Sequence, residues 1–196
     1  MEDPPVPPRT VEMEMVNDVA SRSTSRCSLP PSNFGVVVAD EIYRSACPTS
    51  DNFGFLQALN LKSILNLCEE EYPEEIKDCA KLQGIEIFHI GIKSNKDPLK
   101  SIPLEKVMQG LKLAIDKVNY PILIHCKSGK HRTGCMIASY RKIRNWDLSR
   151  VIDEYRFYSA PKERVADLLF IERFERKWFI SYLMRLHRIP QQNTST

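Results

Sequence analysis

Residues 126–133 read Cys-Lys-Ser-Gly-Lys-His-Arg-Thr, a thiol and a guanidinium with five residues between them. A cysteine thiolate is a strong nucleophile, and an arginine fork can grip two oxygens of one anion. A five-residue loop between them can turn successive backbone N–H groups toward a phosphate. Gly129 supplies the conformational freedom and close approach such a turn needs. The chemistry implied is attack of the Cys126 sulfur on phosphorus, giving a phosphocysteine that water hydrolyses. Arg132 and the loop amides would stabilise the equatorial oxygens in both steps. Arg132 and the amides thus take the part of a charge clamp, so neither metal nor cofactor is required.

The flanking residues suit this part. Ahead lies Tyr120-Pro-Ile-Leu-Ile, a short apolar strand. Behind, residues from Cys135 onward have helical spacing. A strand, a loop and a helix N-terminus make an anion site, because first-turn N–H groups lack intrahelical acceptors. Such a field also favours a thiolate, lowering a cysteine pKa from about 8.5 to as little as ~3.5. Thr133 can offer its hydroxyl to the thiolate, and His125 can hold the cysteine's backbone from behind. A lone cysteine at a strand end is usually a small core hydrophobe. Here Cys, Gly, Arg and Thr share one strand-loop-helix context, which points to chemistry instead.

Breaking a phosphate ester expels an alkoxide, so a positioned acid normally protonates it. Asp97, in Lys93-Ser-Asn-Lys-Asp-Pro, is the best candidate, on a segment that follows a strand and suits a lid. An Asp-Pro surface turn explains the same residues. Glu69, Glu70 and Glu71 read better as a solvated acidic turn. Lys127, Lys130 and His131 crowd the loop beside Ser128 and Gly129, and Lys93 and Lys96 lie on the opposing segment. Attraction between such groups and phosphate is about 1 kcal/mol per pair at 4 Å in water. That set suits a ligand bearing several phosphates. Solvent-facing lysines without specific partners are the plainer reading.

Cys126-x5-Arg132-Thr133 resembles the signature of cysteine-dependent protein phosphatases. The longer string His125-Cys-Lys-Ser-Gly-Lys-His-Arg-Thr-Gly-Cys135 resembles the plant and fungal atypical dual-specificity phosphatases, whose members include inositol pyrophosphate phosphatases. Asn33-Phe34-Gly35, Ile42-Tyr43-Arg44-Ser45, Asn52-Phe53-Gly54-Phe55-Leu56, Asn95-Lys96-Asp97-Pro98 and Asp153-Glu154-Tyr155 extend the likeness over residues 33–175. One departure is Ser128, where that family commonly has arginine. The resemblance implies the cysteine-dependent phosphatase fold and a metal-independent hydrolysis of the diphosphate group of inositol pyrophosphates. A dual-specificity or tyrosine protein phosphatase remains open. So does a non-catalytic phosphate-binding adaptor, although an adaptor has no need of an activated thiolate. The partner is then a phosphorylated small molecule or a phosphoprotein.

Composition bounds the rest. A chain of 196 residues fits one domain with tails. A net charge of +3 does not argue for nucleic acid. No apolar run is long enough for a membrane span, and the first residues lack a secretory pattern. The six cysteines show neither a dense framework nor a Cys/His set with zinc-ligand spacing. Free thiols in a reducing compartment, cytoplasmic or also nuclear, are expected. Cys68 and Cys79 read as core hydrophobes and His89 as a core histidine. A thiolate at Cys126 would oxidise first, with Cys68 or Cys135 able to resolve the sulfenic acid.

Strands alternate with helices. A hairpin is expected over residues 34–38 and 42–44, a helix over 51–59 capped by Ser50, and strands over 61–67, 85–90 and 122–126. Helices are expected over 73–83, 103–118, 133–144, 148–158 and 163–188. Residues 1–32 and 191–196 read as disordered tails around a domain over 33–190. Leu168, Leu169, Phe174, Trp178 and Leu186 read as the packing face of the last helix. The fold class is α/β, a mainly parallel central sheet flanked by helices, with its ligand loop at the C-terminal end of a strand.

Overall fold

The computed structural model describes residues 29–94, 97 and 100–188. The two expected tails lie outside the described residues, apart from 29–32. β1 (Gly35–Val38) and β2 (Ile42–Ala46) form the expected hairpin, turning through Asp40 at φ +57°. A 3-10 turn over Ser50–Asn52 then leads into α1 (Phe53–Ala58). Its flanking residue is Thr49, whose N–H donates to Asn52 Oδ1 at 2.9 Å, so the start lies one residue before the expected Ser50 cap. β3 (Ser63–Asn66), α2 (Glu74–Leu82), β4 (Glu86–His89), α3 (Leu104–Ile115) and β5 (Ile122–Cys126) follow. The chain continues through α4 (His131–Ile143), α5 (Leu148–Ser159), α6 (Val165–Arg173) and α7 (Arg176–Arg188).

The sheet has five strands in the order β1-β2-β5-β3-β4, with only β1 antiparallel to its neighbour. β5 is therefore central and hydrogen-bonded on both sides. Its run Ile-Leu-Ile-His-Cys is buried throughout, as a parallel strand covered on both faces should be. Successive side chains alternate between two cores. Ile122, Ile124 and Cys126 join the core under α3 to α7, while Leu123 joins the one under α1 and α2. Each fully buried Leu or Ile there contributes about 1.5–3 kcal/mol, as an upper figure.

Two expectations are corrected. The single helix over 163–188 is broken: Phe174 leaves helical geometry at φ −59°, ψ 128° and is fully buried. Phe174 packs with Phe170 and Trp178, and sinking it into the core outweighs continuing the helix. Leu168 and Trp178 also pack on the core, whereas Leu169 and Leu186 are exposed. His89 is not a core residue either. It is exposed on the edge strand β4, with Nε2 2.9 Å from the Cys68 carbonyl oxygen.

Candidate active site

Cys126 ends β5, and His131 begins α4, so residues 127–130 form the loop between them. Lys130 occupies the cap position of α4. The N–H groups of His131, Arg132 and Thr133 therefore have no acceptors within the helix and are available to an anion. Cys126 is buried at 1% exposure, pinned between β2 and β3 through its strand.

Arg132 is held from its outer side. Its Nη1 donates to the Leu67 carbonyl at 3.1 Å and to the Ile92 carbonyl at 2.9 Å. Both acceptors lie just past the ends of parallel strands, β3 and β4. A guanidinium has five N–H donors, so this anchoring leaves others for a bound oxyanion.

Three residues brace the loop from beneath. Gly129 has φ +68°, and a Cβ there would lie 2.6 Å from the Ser45 carbonyl carbon and oxygen. Only glycine allows this contact between loop and β2. Arg44 is buried at 1% exposure and donates from Nη2 to the Gly129 carbonyl at 3.0 Å. Its guanidinium lies over the Tyr158 ring, 3.6 Å from the centroid. Burial lowers its pKa from the ordinary value, opposed by Tyr158, Glu154 and Cys126. Asn33 Nδ2 donates to the carbonyls of Ser128 and Tyr158 at 3.3 and 3.2 Å.

The remaining expected site residues fall into distinct places. Lys127 and Ser128 are exposed at the loop's tip, and Lys93 and Asp97 are exposed on the segment after β4. Lys96 lies outside the described residues. Lys130 Nζ donates to the Ala160 carbonyl at 2.7 Å, so its head is occupied by the loop after α5. His131 Nδ1 lies 3.1 Å from Asp167 Oδ2 and 3.3 Å from the Tyr155 hydroxyl. That hydroxyl donates to Asp167 at 2.8 Å, and burial followed by Asp167 pushes its pKa well up. The ring of His131 is thereby oriented from behind the loop.

Two supporting roles differ from expectation. Thr133 Oγ1 is buried with no hydrogen-bond partner among the described residues, so it makes no bond to the Cys126 sulfur here. His125 does not hold the backbone of Cys126. Its Nε2 pairs with the Tyr72 hydroxyl and the two rings stack, leaving Nδ1 buried and unpartnered among the described residues. Strand alternation explains this: a side chain beside Cys126 in β5 points to the opposite face.

Five cysteines among the described residues are free thiols. Burial, followed by Asp167, pushes Cys135 well above the ordinary thiol range, which makes it a poor resolving thiol. A hydrogen bond to Cys47, with burial, pushes Cys68 up to about 12, and the same bond lowers Cys47. Cys47 is half-buried, and Cys79 is half-buried rather than core.

Sequence reasoning gave Arg44, Asn33, Tyr72, Tyr158 and Asp167 no role. Arg44 alone carried a local signal, a charge inside the apolar strand Ile-Tyr-Arg-Ser-Ala. The others are brought to the loop only by the fold.

The comparisons with known proteins agree with this geometry. The pattern of the tyrosine phosphatase family matches residues 28–188. The chain is 45% identical over 159 residues to the inositol diphosphatase DSP4 of Arabidopsis thaliana, covering 81% of this chain and 80% of that protein. It is 44% identical over 169 residues to the inositol diphosphatase SIW14 of Saccharomyces cerevisiae, covering 85% of this chain and 58% of that longer protein. Among solved structures, the core catalytic domain of the PP-IP phosphatase SIW14 from S. cerevisiae superposes with a TM-score of 0.73 at 42% identity. That match covers 83% of this chain and 97% of the other. The fold extends to P. aeruginosa TpbA, at 18% identity and a TM-score of 0.63.

Proposed function

Because the chain belongs to the tyrosine phosphatase family, we propose that it hydrolyses the diphosphate group of inositol pyrophosphates through Cys126. The observation that carries this reading is the placement of Cys126 beneath a glycine-pinned loop whose closing Arg132 is anchored on two carbonyls. The similarity to two inositol diphosphatases supplies the substrate class.

The reaction has two displacements. The Cys126 sulfur attacks the outer phosphorus, an S–P bond forms, and the P–O bond to the inner phosphate breaks. Water then attacks the phosphocysteine, releasing inorganic phosphate and the thiolate. Arg132 and the N–H groups at the start of α4 take up charge on the equatorial oxygens. The leaving group of the first step is a phosphate, which departs more readily than an alkoxide. Asp97 then serves mainly a lid that closes over the loop, and acts as a general acid on poorer leaving groups. Lys127, Lys93 and Lys96 attract the remaining phosphates of a polyanionic ring.

The deciding experiment compares kcat/KM on an inositol pyrophosphate and on phosphotyrosine and phosphoserine peptides. The expected result favours the pyrophosphate by tenfold or more, about 1.4 kcal/mol in transition-state binding. A peptide advantage of that size would make the protein a dual-specificity protein phosphatase. Rapid quench should trap phosphate on Cys126, and Cys126→Ser should abolish turnover. Tight ligand binding with no phosphocysteine would leave only an adaptor.

A further inference from the structure

The ends of three neighbouring strands bring together donors that no sequence spacing reveals. Cys47 lies just past β2, Cys68 just past β3, and His125 at the end of β5 between them. Ser45 and Asn66 both register with His125, so their side chains share its face. Cys47 and Cys68 stand two residues further along each chain and return to that face. The two sulfurs and a His125 ring nitrogen lie within 4.8 Å of one another.

We infer that Cys47, Cys68 and His125 form a binding site for a zinc-class cation, beside the phosphate loop. Two thiolates and one imidazole are the donor set that zinc and its borderline-soft relatives prefer. Three protein ligands leave a fourth position for water or an exogenous group. Zinc bonds of about 2.3 Å to sulfur and 2.0–2.1 Å to nitrogen place tetrahedral ligands roughly 3.5–3.8 Å apart. The three donors, at most 4.8 Å apart, therefore need to close by about 1.3 Å at most, within rotamer adjustment of short side chains.

A second observation aims a ligand into the cluster. His125 is fully buried: Nε2 is taken by Tyr72, Nδ1 makes no well-formed hydrogen bond among the described residues, and the ring lowers the pKa of the neighbouring Cys68 thiol. A metal on Nδ1 leaves the ring proton on Nε2, from which it is donated to the Tyr72 oxygen. That outer partner fixes tautomer and ring plane, as outer hydrogen bonds to metal-binding histidines generally do. Cys47 and Cys68 each lose a thiol proton to solvent on binding, so their two negative charges neutralise the divalent ion. Half-buried Cys47 gives the ion its way in.

The site adjoins the phosphate loop, since Cys126 and Arg132 both act electrostatically on Cys47, but it uses other donors. Cys126 belongs to the core on the helix α4 side, while Tyr72 belongs to the core on the other. The two are nonetheless mechanically joined. Cys47 N–H donates to the Lys127 carbonyl of the loop, and Arg132 is anchored on Leu67, the residue before Cys68. An ion there would clamp the strand ends on both sides of the nucleophile.

The test uses the reduced, metal-free full chain carrying Cys126→Ser, so that the loop thiol contributes nothing. Titration with cobalt(II), then displacement by zinc(II), should show one equivalent bound with thiolate-to-cobalt charge-transfer absorption. Adding Cys47→Ser or Cys68→Ser should weaken binding tenfold or more, while Cys79→Ser should leave it unchanged. Zinc should also protect Cys47 and Cys68 of the otherwise unaltered chain from alkylation, read by peptide mass spectrometry, which needs no variant to fold. A featureless cobalt spectrum, binding indifferent to both serine substitutions, or alkylation of the pair unaffected by zinc would each overturn the site.

Discussion

The Arg44 guanidinium donates to the carbonyl of Gly129 at 3.0 Å from a strand neighbouring the one that carries Cys126. A buried charge thus holds the underside of the phosphate loop, and its other face is covered by Tyr158. Removing it leaves both the Gly129 carbonyl and the Tyr158 face without their partner.

Arg44→Met should keep the fold but loosen the loop. A hydrogen bond to a charged group is worth about 1.5–3 kcal/mol. We expect a stability loss of about 2 kcal/mol in urea unfolding, and a fall in kcat of tenfold or more with KM changed less. A wild-type kcat in a variant that unfolds normally would remove Arg44 from the support of the loop.

Gly129→Ala should be worse than its size suggests. The added methyl meets backbone of Ser45 at 2.6 Å, which cannot swing aside, and the φ of +68° is strained for any side chain. The left-handed conformation alone costs about 1–2 kcal/mol. Activity should be nearly lost while circular dichroism shows the helices intact. Retained turnover would mean that the loop can re-form away from β2.

Asp97→Asn should separate the two leaving groups. On a phosphopeptide, whose leaving group is an alkoxide or phenoxide, loss of a general acid costs about 10²-fold or more. On an inositol pyrophosphate the fall should stay within about threefold, since the departing phosphate needs little help. Equal losses on both would reduce Asp97 to a lid residue or make it an obligatory acid, according to their size.

Cys47 and Cys68 should label in a fixed order. Their hydrogen bond lowers the Cys47 pKa and, with burial, pushes Cys68 up to about 12. In neutral buffer iodoacetamide should modify Cys47 well before Cys68. Because the bond stabilises the Cys47 thiolate, Cys68→Ala should move the Cys47 alkylation inflection to higher pH. Cys68→Ser, which keeps a hydroxyl donor, should move it less. For Cys68 the sign is the opposite: its folded pKa lies above the unfolded value. Its contribution to stability is complete below about pH 9 and is lost as pH rises toward 12.

Cys126 and Arg132 could be named as a candidate pair from the chain because one loop carries both, with five residues between them. The strand and helix around them followed from apolar spacing. The α6–α7 break was hidden, since neither proline nor glycine marks it. It arises from what Phe174 finds in the core. Arg44 and the group of Cys47, Cys68 and His125 were out of reach for a different reason. They become neighbours only once β5 is inserted between β2 and β3, a pairing that hydrophobic period does not encode. The orientation of His131 was equally illegible, since the partner of its Nδ1, Asp167, lies 36 residues away in the chain.

The central position of β5 has a dynamic consequence. Its backbone is paired along both edges, whereas β1 and β4 are each paired along one edge among the described residues. Amide hydrogens of Ile122 to Cys126 can exchange with solvent only when the sheet as a whole comes apart, while those of the outer strands are released by local fraying. Cys126 is thus mounted on one of the three strands, β2, β5 and β3, that are paired on both sides and should exchange most slowly in the sheet. Its alignment should survive partial melting of the periphery and vanish only with cooperative unfolding. Heat inactivation and global denaturation should then coincide.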